Sequence, residues 1–194
     1  MKAVVCKNKE FSVVDRPDPK PGKGQVLLKV SRCGICGSDL HVRKHCDRWG
    51  QIMLRSGYRS LTRTDEEVIF GHEFSGEVLD YGSGTRKSVK PGTPVVALPV
   101  LRRGDEIDLI GLSEHTTGAY AECTVVEESL MMPIPNGLSP QIAALTEPMS
   151  VGWHAVRRAE LKNSDVAVVI GCGPVGLAII CMLKARGIKI IVAS

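Results

Sequence analysis

The sequence predicts a mixed fold in which a mostly β domain is followed by the beginning of an α/β domain. Short aliphatic runs, separated by glycine, proline and polar turns, recur through the first two thirds of the chain, as in compact barrel-like β domains. Near the C-terminus, an apolar strand pattern runs into a Gly-x-Gly-x-x-Gly motif and an apolar helix pattern, which is typical of a parallel β-α-β unit. We therefore expect a β domain over 1–146, a connecting helix over 147–163 and the first unit of an incomplete Rossmann domain over 164–194.

The composition predicts a soluble, cytoplasmic protein. The 25 Lys and Arg against 21 Asp and Glu leave a net charge of +4, and the basic residues are scattered, so we expect no binding to nucleic acid or membranes. No apolar run approaches the roughly 18 residues of a membrane-spanning helix, and the apolar part of the N-terminus is too short for a signal peptide. Seven irregularly spaced cysteines fit a reducing compartment better than a disulfide framework.

The first elements are predicted from alternating and aliphatic patterns. Ala3–Cys6 and Phe11–Asp15 are predicted to pair as a β-hairpin. The segment 16–24, with three prolines and two glycines, is predicted as a surface loop. Gln25–Arg32 is rich in aliphatic residues that roughly alternate, so we expect a strand that leads directly into a motif rich in cysteine and glycine.

That motif, Cys33-Gly34-Ile35-Cys36-Gly37-Ser38-Asp39-Leu40-His41, combines with Gly71-His72-Glu73 to offer the residue types of a metal site and a proton relay. Zinc binds thiolate and imidazole in tetrahedral geometry, and a catalytic zinc keeps one position open for water or substrate. Cys36 would supply the thiolate and His72 the imidazole.

Both segments closely resemble the catalytic-zinc signatures of the zinc-dependent medium-chain dehydrogenases, especially the alcohol and polyol dehydrogenase branches. The resemblance implies a chaperonin-10-like (GroES-like) fold for the β domain, one catalytic Zn²⁺ and an NAD or NADP cofactor. It implies an oxidoreductase that transfers hydride between the CH–OH group of an alcohol or polyol and the nicotinamide. Full-length members of the family are expected to be homo-oligomers.

Ser38 and His41 are the predicted catalytic residues. Ser38 is predicted as the N-cap of a short helix that begins at Asp39, so that Ser38 and His41 would share one helix face. A hydroxyl beside the metal that passes a proton to a surface imidazole offers a path to solvent. The resemblance assigns this role to both residues.

Four residues are assigned positions around the zinc. Glu73 either binds the metal directly or lies just behind it, and Asp39 is predicted to orient a ligand histidine through a hydrogen bond. Cys33 is predicted to face the core. Glu147 lies in a segment that resembles the polyol branch and is predicted as a third ligand or a water-bridged one, with a helix-capping carboxylate as the alternative. Pro148 is predicted to begin a long helix and to hold Glu147 in extended backbone angles.

The segment 42–69 is longer than the corresponding loop expected in the family. Its apolar spacing predicts a helix followed by a polar stretch over 56–65, so it is a candidate for substrate specificity or a plain surface helix. His45 and Cys46 are not expected to form a second metal site, because no partner pair at ligand spacing follows.

The structural zinc site of the classical alcohol branch is expected to be absent, because no cysteine lies between Cys46 and Cys123 and a structural zinc needs four ligands. In its place, 100–111 is predicted as a hairpin that turns at Gly104-Asp105. The remaining elements predicted before the connecting helix are a strand over 118–126 and a helix capped by Ser139, with Pro140 at its first position, that ends near Thr146.

The C-terminal glycine motif predicts a dinucleotide site whose candidate residues are Gly171, Gly173, Pro174, Val175 and Gly176. The glycines let the backbone approach a pyrophosphate, whose charge is favoured by the helix N-terminus. The residue that distinguishes NAD from NADP is expected about 20 residues beyond the motif, at or just after Ser194. We therefore expect a C-terminally truncated chain.

Two alternative functions remain open from the sequence. The first is an inactive fragment that binds zinc but not the cofactor, because half of the nucleotide domain is missing. The second is a zinc-free enzyme of the quinone-reductase type, which is disfavoured because that branch lacks the set formed by Cys36, His72 and Glu147.

Overall fold

The computed structural model describes residues 1–58 and 62–194, which divide into two compact units, Met1–Ala144 and Leu145–Ser194. The first unit consists mainly of antiparallel sheets, and the second begins a parallel α/β arrangement. The predicted mixed fold class is therefore confirmed. The polar stretch predicted over 56–65 falls in part on 59–61, which lie outside the described residues.

The strands described in the first unit are β1 (Lys2–Lys7), β2 (Glu10–Asp15), β3 (Gln25–Cys33), β4 (Val68–Ile69), β5 (Phe74–Tyr81), β6 (Pro94–Ala97), β7 (Val100–Arg103), β8 (Glu106–Leu109), β9 (Cys123–Glu127) and β10 (Met131–Pro133). A five-stranded sheet has the order β10-β6-β5-β3-β9, and a three-stranded sheet has the order β2-β1-β4. The hairpins β1–β2 and β7–β8 confirm the two predicted ones.

The main core of the first unit packs against the five-stranded sheet. Val26 and Leu28 of β3 are fully buried, and they pack with Phe74 and Val78 of β5. Because successive side chains of a strand point to opposite faces, residues two apart share the buried face. This packing fixes β3 beside β5, and the chain segments at their ends carry the candidate site.

The strand predicted over 118–126 is shorter than expected, since β9 begins at Cys123. The residues before it pair instead with the turn that precedes β5: Ala119 N donates to Gly71 O, and Tyr120 N donates to Phe70 O. These non-local hydrogen bonds take the backbone groups that a longer β9 would have used.

Helix α1 (Gly37–Arg55) begins two residues before the predicted start at Asp39 and is longer than the short helix expected there. Cys36, with extended backbone angles, is the N-cap in place of Ser38, because the Asp39 carboxylate accepts a hydrogen bond from Cys36 N and closes the first turn. The helix continues because Val42 packs in an apolar cluster with Cys6 of β1 and Val68 of β4, and Cys46, one turn further on, is also buried. Its geometry is interrupted at His45, where φ is −127° and ψ is 37°.

Helix α2 (Pro140–Ala143) has the predicted cap, in which Ile142 N donates to Ser139 Oγ at 3.3 Å. It ends at Ala143, three residues before the predicted end at Thr146.

The second unit consists of α3 (Thr146–Arg158), β11 (Val166–Val169), α4 (Pro174–Ala185) and β12 (Ile190–Ala193). β11 and β12 pair in parallel, which confirms the predicted β-α-β unit. α3 begins at Thr146, so Glu147 lies in its first helical turn and the prediction of extended angles for Glu147 is wrong. The helix can begin before Pro148 because the missing N–H of a proline has no intrahelical partner in a first turn.

Within the described ranges, none of the helices combines the length and the apolar character that crossing a membrane requires.

Candidate metal centre

The pairing of β3 with β5 brings the two predicted metal-binding segments together. Cys33, the last residue of β3, is opposite Phe74, the first residue of β5, and Gly34 N donates a hydrogen bond to Glu73 O at 2.7 Å. The chain leaving β3 towards Cys36 therefore runs beside the chain that enters β5 through His72 and Glu73. This strand register brings together residues that lie more than thirty positions apart in the sequence.

Cys36, His72 and Glu73 form the one group of potential metal ligands identified among the described residues. Their donor atoms, Sγ, an imidazole nitrogen and a carboxylate oxygen, all lie within 4.8 Å of one another. His72 and Glu73 are buried, whereas Cys36 is partly exposed. Zinc takes sulfur, nitrogen and oxygen donors at roughly 2.0–2.3 Å, so one ion could reach all three after small side-chain rotations. The donor set fits a zinc ion with one position left open.

The carboxylate of Asp39 contacts two of the potential ligands, Cys36 and His72. Its Oδ1 atom lies 3.2 Å from His72 Nδ1. Its Oδ2 atom accepts hydrogen bonds from Cys36 N at 3.0 Å and from the Tyr120 hydroxyl at 2.8 Å. The carboxylate is 1% exposed, and carboxylates in this position orient the ring of a metal-binding histidine.

Burial and neighbouring carboxylates favour the neutral forms of the groups around the site. Burial raises the pKa of the Cys36 thiol, and hydrogen bonds with Ser38 oppose this shift. Burial also raises the pKa of Cys33, to about 12, with added repulsion from Asp39 and Glu73. Cys33 is packed against the main core of the first unit. A cation that binds Cys36 must therefore displace its proton, so metal binding is expected to release protons.

Glycines make the close approach of the segments possible. Gly71 has a φ of +97°, and a Cβ on it would lie 2.5 Å from Tyr120 Cδ1 and 2.8 Å from Tyr120 N. A Cβ on Gly34 would overlap the Glu73 carboxylate. Any larger residue at either position would therefore displace a side chain of the site.

The other predicted site residues, Ser38, His41 and Glu147, lie in different parts of the structure. Ser38, in the first turn of α1, has its Oγ 3.4 Å from His72 Nε2. His41 is exposed, and its ring lies beside that of His45, with a centroid distance of 5.0 Å. The structure thus brings Ser38 to the potential ligands, whereas Glu147 belongs to the second unit.

The glycine-rich motif of the second unit connects β11 to α4. Gly173 is the N-cap of α4, and Pro174, Val175 and Gly176 form its first turn. Gly171 has a φ of +102°, and a Cβ on Gly176 would overlap Gly171 O. The motif is exposed apart from a half-buried Gly176, so the N-terminus of α4 is accessible to an anionic group.

Tyr120 is the residue of the site that sequence reasoning missed. It lies 81 positions from Asp39, in a segment that was interpreted only as a strand. Burial and its hydrogen bond to Asp39 raise the pKa of its hydroxyl, which therefore stays a donor. A tyrosine between small residues in Gly118-Ala119-Tyr120-Ala121 is a weak signal, because nothing local identifies its distant partner.

Comparison with known proteins identifies the first unit. A family model described as the alcohol dehydrogenase GroES-like domain matches residues 22–136, which confirms the expected GroES-like fold. The (R,R)-butanediol dehydrogenase of Bacillus subtilis is 37% identical over 198 residues, which cover 96% of this chain and 56% of that protein. The sorbitol dehydrogenase of the same organism is 31% identical over 207 residues, covering 100% of this chain and 55% of that protein.

A solved structure shows the same architecture. The crystal structure of 2R,3R-butanediol dehydrogenase from Bacillus subtilis matches with a TM-score of 0.81 and 34% sequence identity, over 99% of this chain and 57% of that one. The chain spans just over half the length of the relatives it matches.

Proposed function

The chain belongs to the zinc-type medium-chain alcohol and polyol dehydrogenases, and on that premise we propose that it carries the metal-binding half of an NAD(P)-dependent dehydrogenase. The reaction would be hydride transfer between a secondary alcohol or polyol and nicotinamide. The grouping of Cys36, His72 and Glu73 beside the buried Asp39 is the observation that carries this proposal.

In this proposal Cys36, His72 and Glu73 hold one Zn²⁺. The ion supplies Lewis acidity, which lowers the pKa of an alcohol. Asp39 holds His72 with Nδ1 towards its own carboxylate, which leaves Nε2 for the metal. Glu73 is the proposed third protein ligand because its carboxylate is grouped with the other two donors, whereas Glu147 is the competing candidate.

Ser38 and His41 are proposed to carry the substrate proton to solvent. The Ser38 hydroxyl, 3.4 Å from His72 Nε2, is adjacent to the proposed metal position. His41 is exposed and could pass a proton to water. Because both residues lie in the first two turns of α1, the helix fixes their spacing.

The cofactor is proposed to bind through the Gly171–Gly176 motif. The exposed first turn of α4, with its orphan N–H groups and positive dipole end, supports binding of the pyrophosphate.

Metal analysis tests the zinc site. We expect the zinc-replete chain to contain close to one zinc, and Cys36→Ala to lose it, while Cys172→Ala, at an exposed cysteine outside the group, keeps it. Glu73→Gln should weaken zinc binding more than Glu147→Gln. No zinc in the replete protein would overturn the catalytic site, and a second zinc bound as tightly as the first would contradict the expected absence of a structural site.

Nucleotide binding distinguishes this proposal from the inactive-fragment alternative. The chain is titrated with NADH and with NADPH, and calorimetry measures the binding. If the motif is functional, at least one of the two nucleotides should bind with micromolar affinity. Absence of binding to both would favour the fragment that binds only zinc. A panel of polyols and secondary alcohols, assayed on a version extended to the length of the relatives, would then identify the substrate class.

A further inference from the structure

Two histidines outside the proposed zinc ligands lie side by side on α1. The rings of His41 and His45 have a centroid distance of 5.0 Å and an interplanar angle of 48°. Both side chains are exposed. Residues four apart are neighbours on a helix surface, so the spacing and the observed ring contact agree. The helical geometry is interrupted at His45 itself, a local irregularity of the kind that often marks functional positions.

We propose that His41 and His45 form a second, surface site for a divalent transition metal of the Ni²⁺, Cu²⁺ or Zn²⁺ type. Imidazole is a favoured ligand of these ions, and two histidines four apart on one helix face are an established chelating arrangement. The two rings would provide two ligands, and water would complete the coordination. Sequence reasoning rejected His45 with Cys46 as a site, and the structure offers His41 as the partner in place of the buried Cys46.

The charges around the pair have two opposite effects. Slight burial, His41 and the cationic Lys44, Arg48 and Lys9 lower the pKa of His45, which keeps its lone pair available near neutral pH. The same cations repel a divalent ion, so we expect weaker binding than at the Cys36 group. Arg43, also on α1, donates to Lys9 O and lies over the Phe11 ring.

Occupation of this site would have a consequence for the relay. A metal ion on His41 takes the lone pair with which that imidazole would accept a proton, so excess metal would block the proposed proton path at its exit. This consequence rests on the proposed function, whereas metal binding by the pair does not.

Titration of the 194-residue chain with NiCl₂, after one equivalent of zinc has been added to occupy the Cys36 group, tests the site. Paramagnetic broadening of the histidine side-chain signals in NMR spectra reports which rings bind. We expect the signals of His41 and His45 to broaden together, before those of His115 and His154. The comparison is direct because these two are also exposed.

Two variants sharpen the result. His45→Gln should raise the Ni²⁺ concentration needed to broaden His41 by about tenfold or more, which corresponds to about 1.4 kcal/mol of lost binding free energy. His115→Gln, a matched change at an exposed loop histidine, should leave the Ni²⁺ concentration needed to broaden His41 unchanged. An unchanged response of His41 in His45→Gln, or broadening of His115 and His154 ahead of the pair, would overturn the proposal. Because the readout is at His41, failure here leaves the zinc measurement on Cys36→Ala unaffected.

Discussion

At the scale of single residues, one buried carboxylate organises the candidate metal centre. Asp39 accepts hydrogen bonds from Cys36 N and from the Tyr120 hydroxyl, and it lies 3.2 Å from His72 Nδ1. A buried carboxylate is costly unless it is hydrogen-bonded, and these donors offset that cost. The same contacts determine where the Cys36 backbone and the His72 ring point.

Replacing Asp39 tests this positioning role. Asp39→Asn keeps the size of the side chain but removes its charge, so it should weaken zinc binding by about 10–100-fold, the usual effect of losing a carboxylate behind a histidine ligand. Competition with a chromogenic chelator measures the affinity. Asp105→Asn, in the exposed turn between β7 and β8, is the control and should bind zinc as the unsubstituted chain does. Equal affinities for both variants would show that Asp39 does not act through the ligands.

At the scale of elements, the turn between β4 and β5 places His72. Gly71, in this turn, has a positive φ, and its carbonyl accepts a hydrogen bond from Ala119 N. On the other side, Val68 and Phe70 pack with Val42 of α1. The turn therefore connects the sheet, the helix and the Ala119–Tyr120 segment, and all three must be in place for the donors to meet.

A pair of glycine variants separates backbone strain from crowding in this turn. Gly71→Ala and Gly92→Ala both place a side chain at positive φ, 97° and 82° respectively, which costs roughly 1 kcal/mol at either position. A Cβ on Gly71 also meets Tyr120 at 2.5 Å, whereas one on Gly92 has nothing within 4 Å. Urea unfolding should therefore show a larger loss of unfolding free energy for Gly71→Ala. Equal losses would mean that Tyr120 can move aside without cost.

At the scale of the whole molecule, the proposed ligands Cys36, His72 and Glu73 lie in one compact unit, while Glu147 and the nucleotide motif lie in the other. The sequence has two tryptophans, and each unit contains one of them: Trp49 in α1 and Trp153 in α3. Their fluorescence can therefore follow the two units separately.

Zinc should stabilise mainly the unit that holds its ligands. At a free zinc concentration 100 times the dissociation constant, binding adds about 2.7 kcal/mol to the unfolding free energy. We expect this increase in Trp153→Phe, where Trp49 reports, and a smaller one in Trp49→Phe, where Trp153 reports. Guanidinium unfolding with and without zinc measures both. If zinc raised the unfolding free energy reported by Trp153 as much as that reported by Trp49, and Glu147→Gln abolished this increase, Glu147 would instead be the third ligand.

The sequence by itself determined the mixed fold, the two hairpins, the β-α-β unit and the residue types of the metal and nucleotide motifs. These follow from patterns that are local in the chain: alternation, turn residues and short spacings between glycines, cysteines and histidines. The start of α1 at Gly37 and the helical conformation of Glu147 were mispredicted, because side-chain capping and tolerance of proline in a first turn moved both helix starts.

Only the tertiary structure decided which distant groups meet. The grouping of Glu73 with Cys36 depends on the register that places Cys33 opposite Phe74, and the bond from Tyr120 to Asp39 joins residues 81 positions apart. Such contacts are set by the packing of sheets and helices rather than by local preference. The physical reason is that a strand register is selected by the whole buried face, which no short segment of the sequence contains.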